Sequence, residues 1–144
     1  MNYNKVENIY LKLLKVNYLL SNNVSKIAKQ YDFSSSELMI YLDIKTHPNT
    51  DLNGLCDRLG LKKSAASKAI NKLIKNDHVN SQTNPEDQRK VSLNYVEQEN
   101  ATICKETMLN KTFSGISNND CNLNTIEQSL DEIIKMLSNE QHNK

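Results

Sequence analysis

Between residues 57 and 75 the chain carries six bases, Arg58, Lys62, Lys63, Lys68, Lys72 and Lys75, against one acid, Asp57. Within that run Ser64, Ala65 and Ser67 are small, and Asn71 offers an amide. If the segment is helical, its first turn presents unpaired backbone N–H groups and the positive end of the helix dipole, both of which attract phosphate. A small, polar first turn can approach base edges in a major groove, where serine donates or accepts, while the following lysines reach the backbone. Taken alone, a lysine run is more often a solvated helix face.

A second cluster lies at Asn84-Pro85-Glu86-Asp87-Gln88-Arg89-Lys90. Pro85 after Asn84 sets a turn and leaves Glu86, Asp87, Arg89 and Lys90 at its tip. An arginine on such a tip suits the negative potential of a minor groove. Asp87, two residues earlier, is spaced to hydrogen-bond the guanidinium and orient it. The alternative is a surface ion pair worth at most ~1 kcal/mol.

Little else in the inventory supports chemistry. Three glycines and two prolines exclude glycine-rich phosphate loops and a long series of tight β-turns. There is no nucleophile elbow and no paired Cys/His set, and Asp131 and Glu132 read as the solvated face of a helix. No catalytic residue and no cofactor is expected. His47, His78 and His142 are scattered, without a ligand spacing, so no metal is expected either. The three cysteines are odd in number and far apart, which argues against a disulfide framework. Cys56 reads as a core residue; a redox role for Cys104 or Cys121 stays open.

The elements that must position these clusters follow from periodicity. A length of 144 residues with 38% hydrophobic content suits one domain with a sizeable core. No apolar run approaches a membrane span and the N-terminus lacks a signal pattern, so a cytoplasmic protein is the expectation. Val6, Ile9, Tyr10, Leu13, Leu14, Leu20, Val24 and Ile27 recur at three- and four-residue steps, predicting one long helix over 3–31, loosened at Ser21-Asn22-Asn23. Ser34-x-x-Glu37 is a capping box for a second helix that stops before Pro48. Asp51 caps a short third helix, which Gly60 ends. Ser64 is expected to cap a fourth, whose buried side is Ala66, Ala69, Ile70 and Leu73. Short helix, glycine turn and basic helix together have helix-turn-helix spacing.

After Asp77 the period becomes two, and Val79 opens one strand of a hairpin while Val91, Leu93 and Tyr95 anchor the other. Two helices close the chain, over about 97–114 and 122–141; the second carries Leu123, Ile126, Leu130, Ile133, Ile134 and Leu137 as a stripe. Charge is graded along this order. Residues 51–96 hold eight Lys/Arg against five acids, and residues 97–144 four against eight. A basic middle is a footprint that a polyanion reads.

From about Ser35 to Tyr95 the order and residues resemble the MarR-type winged helix-turn-helix regulators. The resemblance rests on Leu55, Leu59-Gly60-Leu61, the Lys63-Ser64 helix start, Leu73, Val79 and Pro85-Glu86-Asp87-x-Arg89. It departs at Asp77-His78, where Gly and an apolar residue are usual. It departs again in the arginine-poor strand Asn80-Ser81-Gln82-Thr83, and in "YVEQEN" before the next helix. The resemblance implies a mainly α fold with a small β-hairpin wing: a winged helix-turn-helix lobe over 34–96, flanked within one domain by dimerisation helices at 1–33 and 97–144.

It also implies double-stranded DNA as partner. Recognition helix 64–75 then supplies Lys62, Lys63, Ser64, Ala65, Ser67, Lys68, Asn71 and Lys72 as contacts, with Arg89 and Lys90 from the wing and Asp87 orienting Arg89. The expectation is a homodimeric repressor on a pseudo-palindromic operator. A small-molecule effector between dimer helices and DNA-binding lobes would shift its population of states. The rival readings are the same fold as a protein-interaction module, or a ligand-independent architectural protein on A/T-rich DNA.

Overall fold

The computed structural model describes residues 1–97, 105–113 and 122–142. Met1–Met108 form one compact unit and Leu109–Lys144 a second. In the first, α1 (Tyr3–Gln30) is capped by Asn2, whose side chain accepts from the Lys5 amide at 3.3 Å. It runs through Ser21-Asn22-Asn23 unbroken. Only its end, Ile27 and Ala28, is buried; Val6, Ile9, Tyr10, Leu14 and Leu20 of the predicted stripe are exposed. The chain then reverses at Asp32 (φ 57°) and enters α2 (Ser35–Thr46).

Ser34 caps α2, its hydroxyl accepting from the Glu37 amide at 3.1 Å. Glu37 is buried, and its carboxylate reaches Lys72 Nζ at 3.2 Å. Leu38, Ile40, Tyr41 and Ile44 of α2 supply the centre of the core, against Leu55 of α3 (Leu52–Leu59) and Ala66 and Leu73 of α4 (Lys63–Lys75). Burial pushes the Tyr41 hydroxyl above the usual tyrosine range, helped by the nearby Tyr95 and Glu97. The Asp51 carboxylate caps α3 by accepting from the Gly54 amide at 2.7 Å. Gly60 ends it in the left-handed region (φ 68°), its N–H donating to Cys56 O at 2.8 Å. Cys56 is buried, as its core reading expects.

The start of α4 corrects one expectation. Lys62 (φ −73°, ψ 141°), not Ser64, stands at the cap, and no side chain caps this end. The Lys62 carbonyl already accepts the first helical bond, from Ala66 N at 3.0 Å. Ser64 therefore lies inside the first turn, where its hydroxyl has no cap geometry to fill.

Asp77 takes a left-handed φ of 61° to leave α4, a conformation Asp tolerates. His78 then packs edge-on against Phe33, ring centroids 4.8 Å apart, and against Tyr41 at 6.2 Å. A ring at this position thus completes an aromatic cluster where an apolar residue is usual in the family the chain resembles. Strands β1 (Val79–Thr83) and β2 (Val91–Tyr95) pair antiparallel with Val79 opposite Tyr95 and Thr83 opposite Val91. The predicted three-residue anchor is narrower than the alternation suggests. Leu93 is buried, but Val91 and Tyr95 are exposed. Val91 faces α4 across an open cavity of about 230 Å³, and Lys45 Nζ lies 5.5 Å from the Tyr95 ring centroid.

Helix α5 is described over Lys105–Thr112, and its Met108 packs against the core of the first unit; residues 98–104 and 114 of the predicted 97–114 lie outside the described residues. Ala101, Cys104 and Cys121 lie outside the described residues. In the second unit α6 (Leu123–His142) leaves Leu123, Ile126, Leu130, Ile134 and Leu137 exposed. Among the described residues no helix is long and apolar enough to cross a membrane.

Candidate nucleic-acid interface

Helix α4 divides along its length as its period requires. Ala66, Ala69, Ile70 and Leu73 are buried against α2 and α3, which turns Lys62, Lys63, Ser64, Ala65, Lys68, Asn71 and Lys75 to solvent. Ser67 is half-buried; with Asn71 it lines the α4 side of the cavity that Ser81 and Val91 close from the hairpin. The uncapped first turn keeps its amides directed at solvent beside Lys62 and Lys63, the arrangement that favours an anion.

The hairpin tip is shaped by its own side chains. Asn84 Oδ1 accepts from the Glu86 amide at 2.9 Å, and Asp87 Oδ1 from the Arg89 amide at 3.1 Å. The Asn84 amide closes the loop on Lys90 O at 2.8 Å. Arg89 projects with its side chain 95% exposed, its Nε 3.6 Å from Asp87 Oδ1. That separation makes a weak ion pair. The closer bond of Asp87 is thus to the Arg89 backbone amide and shapes the turn, a bond the Asp-x-Arg spacing did not reveal.

Two bases of the sequence cluster pair with acids of α2. Lys72, its side chain 59% exposed, pairs with the buried Glu37 at 3.2 Å while staying open to solvent. Arg58 forks onto Asp43, Nε to Oδ1 at 3.0 Å and Nη2 to Oδ2 at 2.8 Å, with Nη2 also donating to the Thr50 hydroxyl. The hydrogen bonds that Arg58 donates to Asp43 raise its pKa further, against a smaller opposing effect of burial. Glu37, Asp43 and Thr50 were not legible as partners, since buried polar residues on the apolar side of α2 and in a loop carry no periodic signal. Among the described residues no group of three or more His, Cys, Asp or Glu side chains is placed to hold a metal.

The model of the MarR family matches residues 33–91. No curated protein matches the chain by sequence. Solved structures share its fold: a mutant MarR from E. coli complexed with operator DNA (TM-score 0.68, 15% identity) covers 92% of this chain and 98% of its own. Reduced AbfR bound to DNA has TM-score 0.68 and 15% identity, over 94% and 95% of the two chains. CouR from Rhodococcus jostii RHA1, bound to p-coumaroyl-CoA, has TM-score 0.70 and 18% identity, over 89% and 92%. Residues 33–91 thus match the MarR family model, and the chain shares with these structures a mainly helical, winged helix-turn-helix fold.

Proposed function

We propose that this protein is a homodimeric, DNA-binding transcription regulator acting as a repressor. The observation that carries the reading is the solvent-facing, uncapped, basic first turn of α4, together with a hairpin tip that projects Arg89 nearly free of contacts. In this reading Ser64, Ala65, Ser67 and Asn71 meet base edges in a major groove. Lys62, Lys63, Lys68 and Lys90 meet phosphates, and Arg89 enters the flanking minor groove. Similarity to a MarR complexed with operator DNA and to AbfR bound to DNA supports it. The exposed apolar residues of α1 and of α6 supply surface for a two-fold dimer, which would give the operator pseudo-palindromic half-sites about one helical turn apart. Similarity to CouR, bound to p-coumaroyl-CoA, supports a small-molecule effector that shifts the population between DNA-competent and incompetent states.

The deciding experiment is selection of bound sequences from random duplex DNA. Enrichment of a palindromic motif is the expected result. Absence of binding at low salt by an intact dimer would transfer the fold to protein docking.

A further inference from the structure

The hairpin meets the helical body through few bonds, and they converge on residues 49–50. The Leu93 amide of β2 donates to Thr50 O at 2.7 Å. Asn94 exchanges amide bonds with Asn49: Asn49 N donates to Asn94 Oδ1 at 2.9 Å, and Asn94 Nδ2 donates to Asn49 Oδ1 at 2.9 Å. Asn49 makes this exchange from a left-handed backbone (φ 61°), which Asn tolerates well. Thr50 donates its amide to His47 O at 3.3 Å and its hydroxyl to Asp51 O at 3.4 Å. The side-chain bond from outside this loop is Arg58, whose Nη2 donates to the hydroxyl while the same guanidinium forks onto Asp43. The Asp43 side chain is 6% exposed, so the fork is anchored in α2. Helix α3 makes room for it with a glycine: a Cβ at Gly54 would lie 3.1 Å from Asp51 Oδ1, 3.2 Å from Arg58 Nη1 and 3.4 Å from Thr50 Oγ1. A polar path therefore runs from α2 through α3 to the loop and on to the central residue of β2.

We propose that Arg58 is a positioning residue for the wing. Forked between Asp43 and Thr50, it fixes the loop segment on which Leu93 and Asn94 hang, and so sets where Arg89 stands relative to α4. Its functional consequence rests on the reading that α4 and Arg89 grip one duplex together; its structural consequence does not. A guanidinium is needed because only its planar fork spans a carboxylate and a hydroxyl at once. Lysine keeps the charge and loses the fork.

The test uses the full-length protein and starts without DNA, by amide hydrogen exchange resolved by residue. In Arg58→Lys the Leu93 amide should exchange about tenfold faster than in the wild type while the Leu73 amide in α4 keeps its protection. Unchanged exchange at Leu93, or an equal loss at Leu73, overturns the proposal, the second because it reports general destabilisation. Thr50→Val removes only the hydroxyl, and Gly54→Ala crowds the fork although alanine is the better helix former. Both should repeat the local loss at Leu93, so the proposal stays testable if Arg58→Lys folds poorly.

The second readout is a double-mutant cycle on the selected duplex. Arg89→Ala should cost roughly fivefold less affinity in the Arg58→Lys background than in the wild type, a coupling typical of residues sharing one network. Equal cost in both backgrounds overturns the positioning of Arg89. If the wild type binds no duplex, the regulator reading fails and Leu93 exchange alone decides the role of Arg58.

Discussion

Ser64 sits inside the first turn of α4 rather than ahead of it, which frees its hydroxyl from capping and separates DNA contact from helix stability. Ser64→Ala should change unfolding stability by less than ~0.5 kcal/mol, against ~1 kcal/mol for a true cap; chemical denaturation distinguishes the two. Arg89→Ala should likewise leave stability unchanged, because the side chain is 95% exposed and its ion pair with Asp87 is long, at 3.6 Å. It should weaken operator binding by ~1–3 kcal/mol in a titration with labelled duplex, and unaltered affinity would remove the wing from the interface. Lys72→Ala should behave in the opposite way. It strands the buried Glu37 carboxylate and should cost stability by about 1–2 kcal/mol, moderated because the lysine itself is half-exposed. At this scale the sequence told which residues of α4 face outward, since position on a helix follows from a fixed period. It did not tell where a long cation bends. Lys72 and Arg58 both lie in the basic run, and each pairs with an acid on α2 that local spacing does not connect to it.

Elements were legible where their ends are written in local chemistry. Ser34, Asp51 and Gly60 each mark a boundary through a bond or a backbone angle that one residue type favours, and all three stand where expected. The hairpin was legible as a period of two, but its depth was not, because alternation gives a face and not how far the helices extend beneath it. Val91 and Leu93 share that face, and only Leu93 is buried. Gly60 gives the cleanest test at this level. A Cβ there would meet nothing within 4 Å, so Gly60→Ala probes backbone strain alone. A left-handed alanine should lower stability by about 1–2 kcal/mol, and Gly60→Asn should recover part of the loss, since Asn tolerates that region. Equal stability of Gly60→Ala and wild type would mean that the turn between α3 and α4 relaxes out of the left-handed region.

For the whole molecule the question is how charge and symmetry combine, and this was the least legible scale, because a net charge of +1 conceals which bases are free to meet phosphate. Arg58 and Lys72 are spoken for by Asp43 and Glu37. On the proposed reading Lys62, Lys63, Lys68, Arg89 and Lys90 meet DNA in each subunit, hence about ten in a dimer. Counterion release then gives a slope of log affinity against log salt of roughly −9, whereas recruiting Arg58 and Lys72 as well would give roughly −13. The measurement is a series of duplex titrations from low to moderate salt. A slope near the steeper value would place both paired bases in the interface as well. A slope of half the expected size would mean that one subunit binds alone. Leu14→Glu, placed on the exposed apolar face of α1, checks that last outcome. It should shift the protein toward monomer in sedimentation and halve the slope, while the helix-turn-helix lobe, whose core does not include Leu14, keeps its fold.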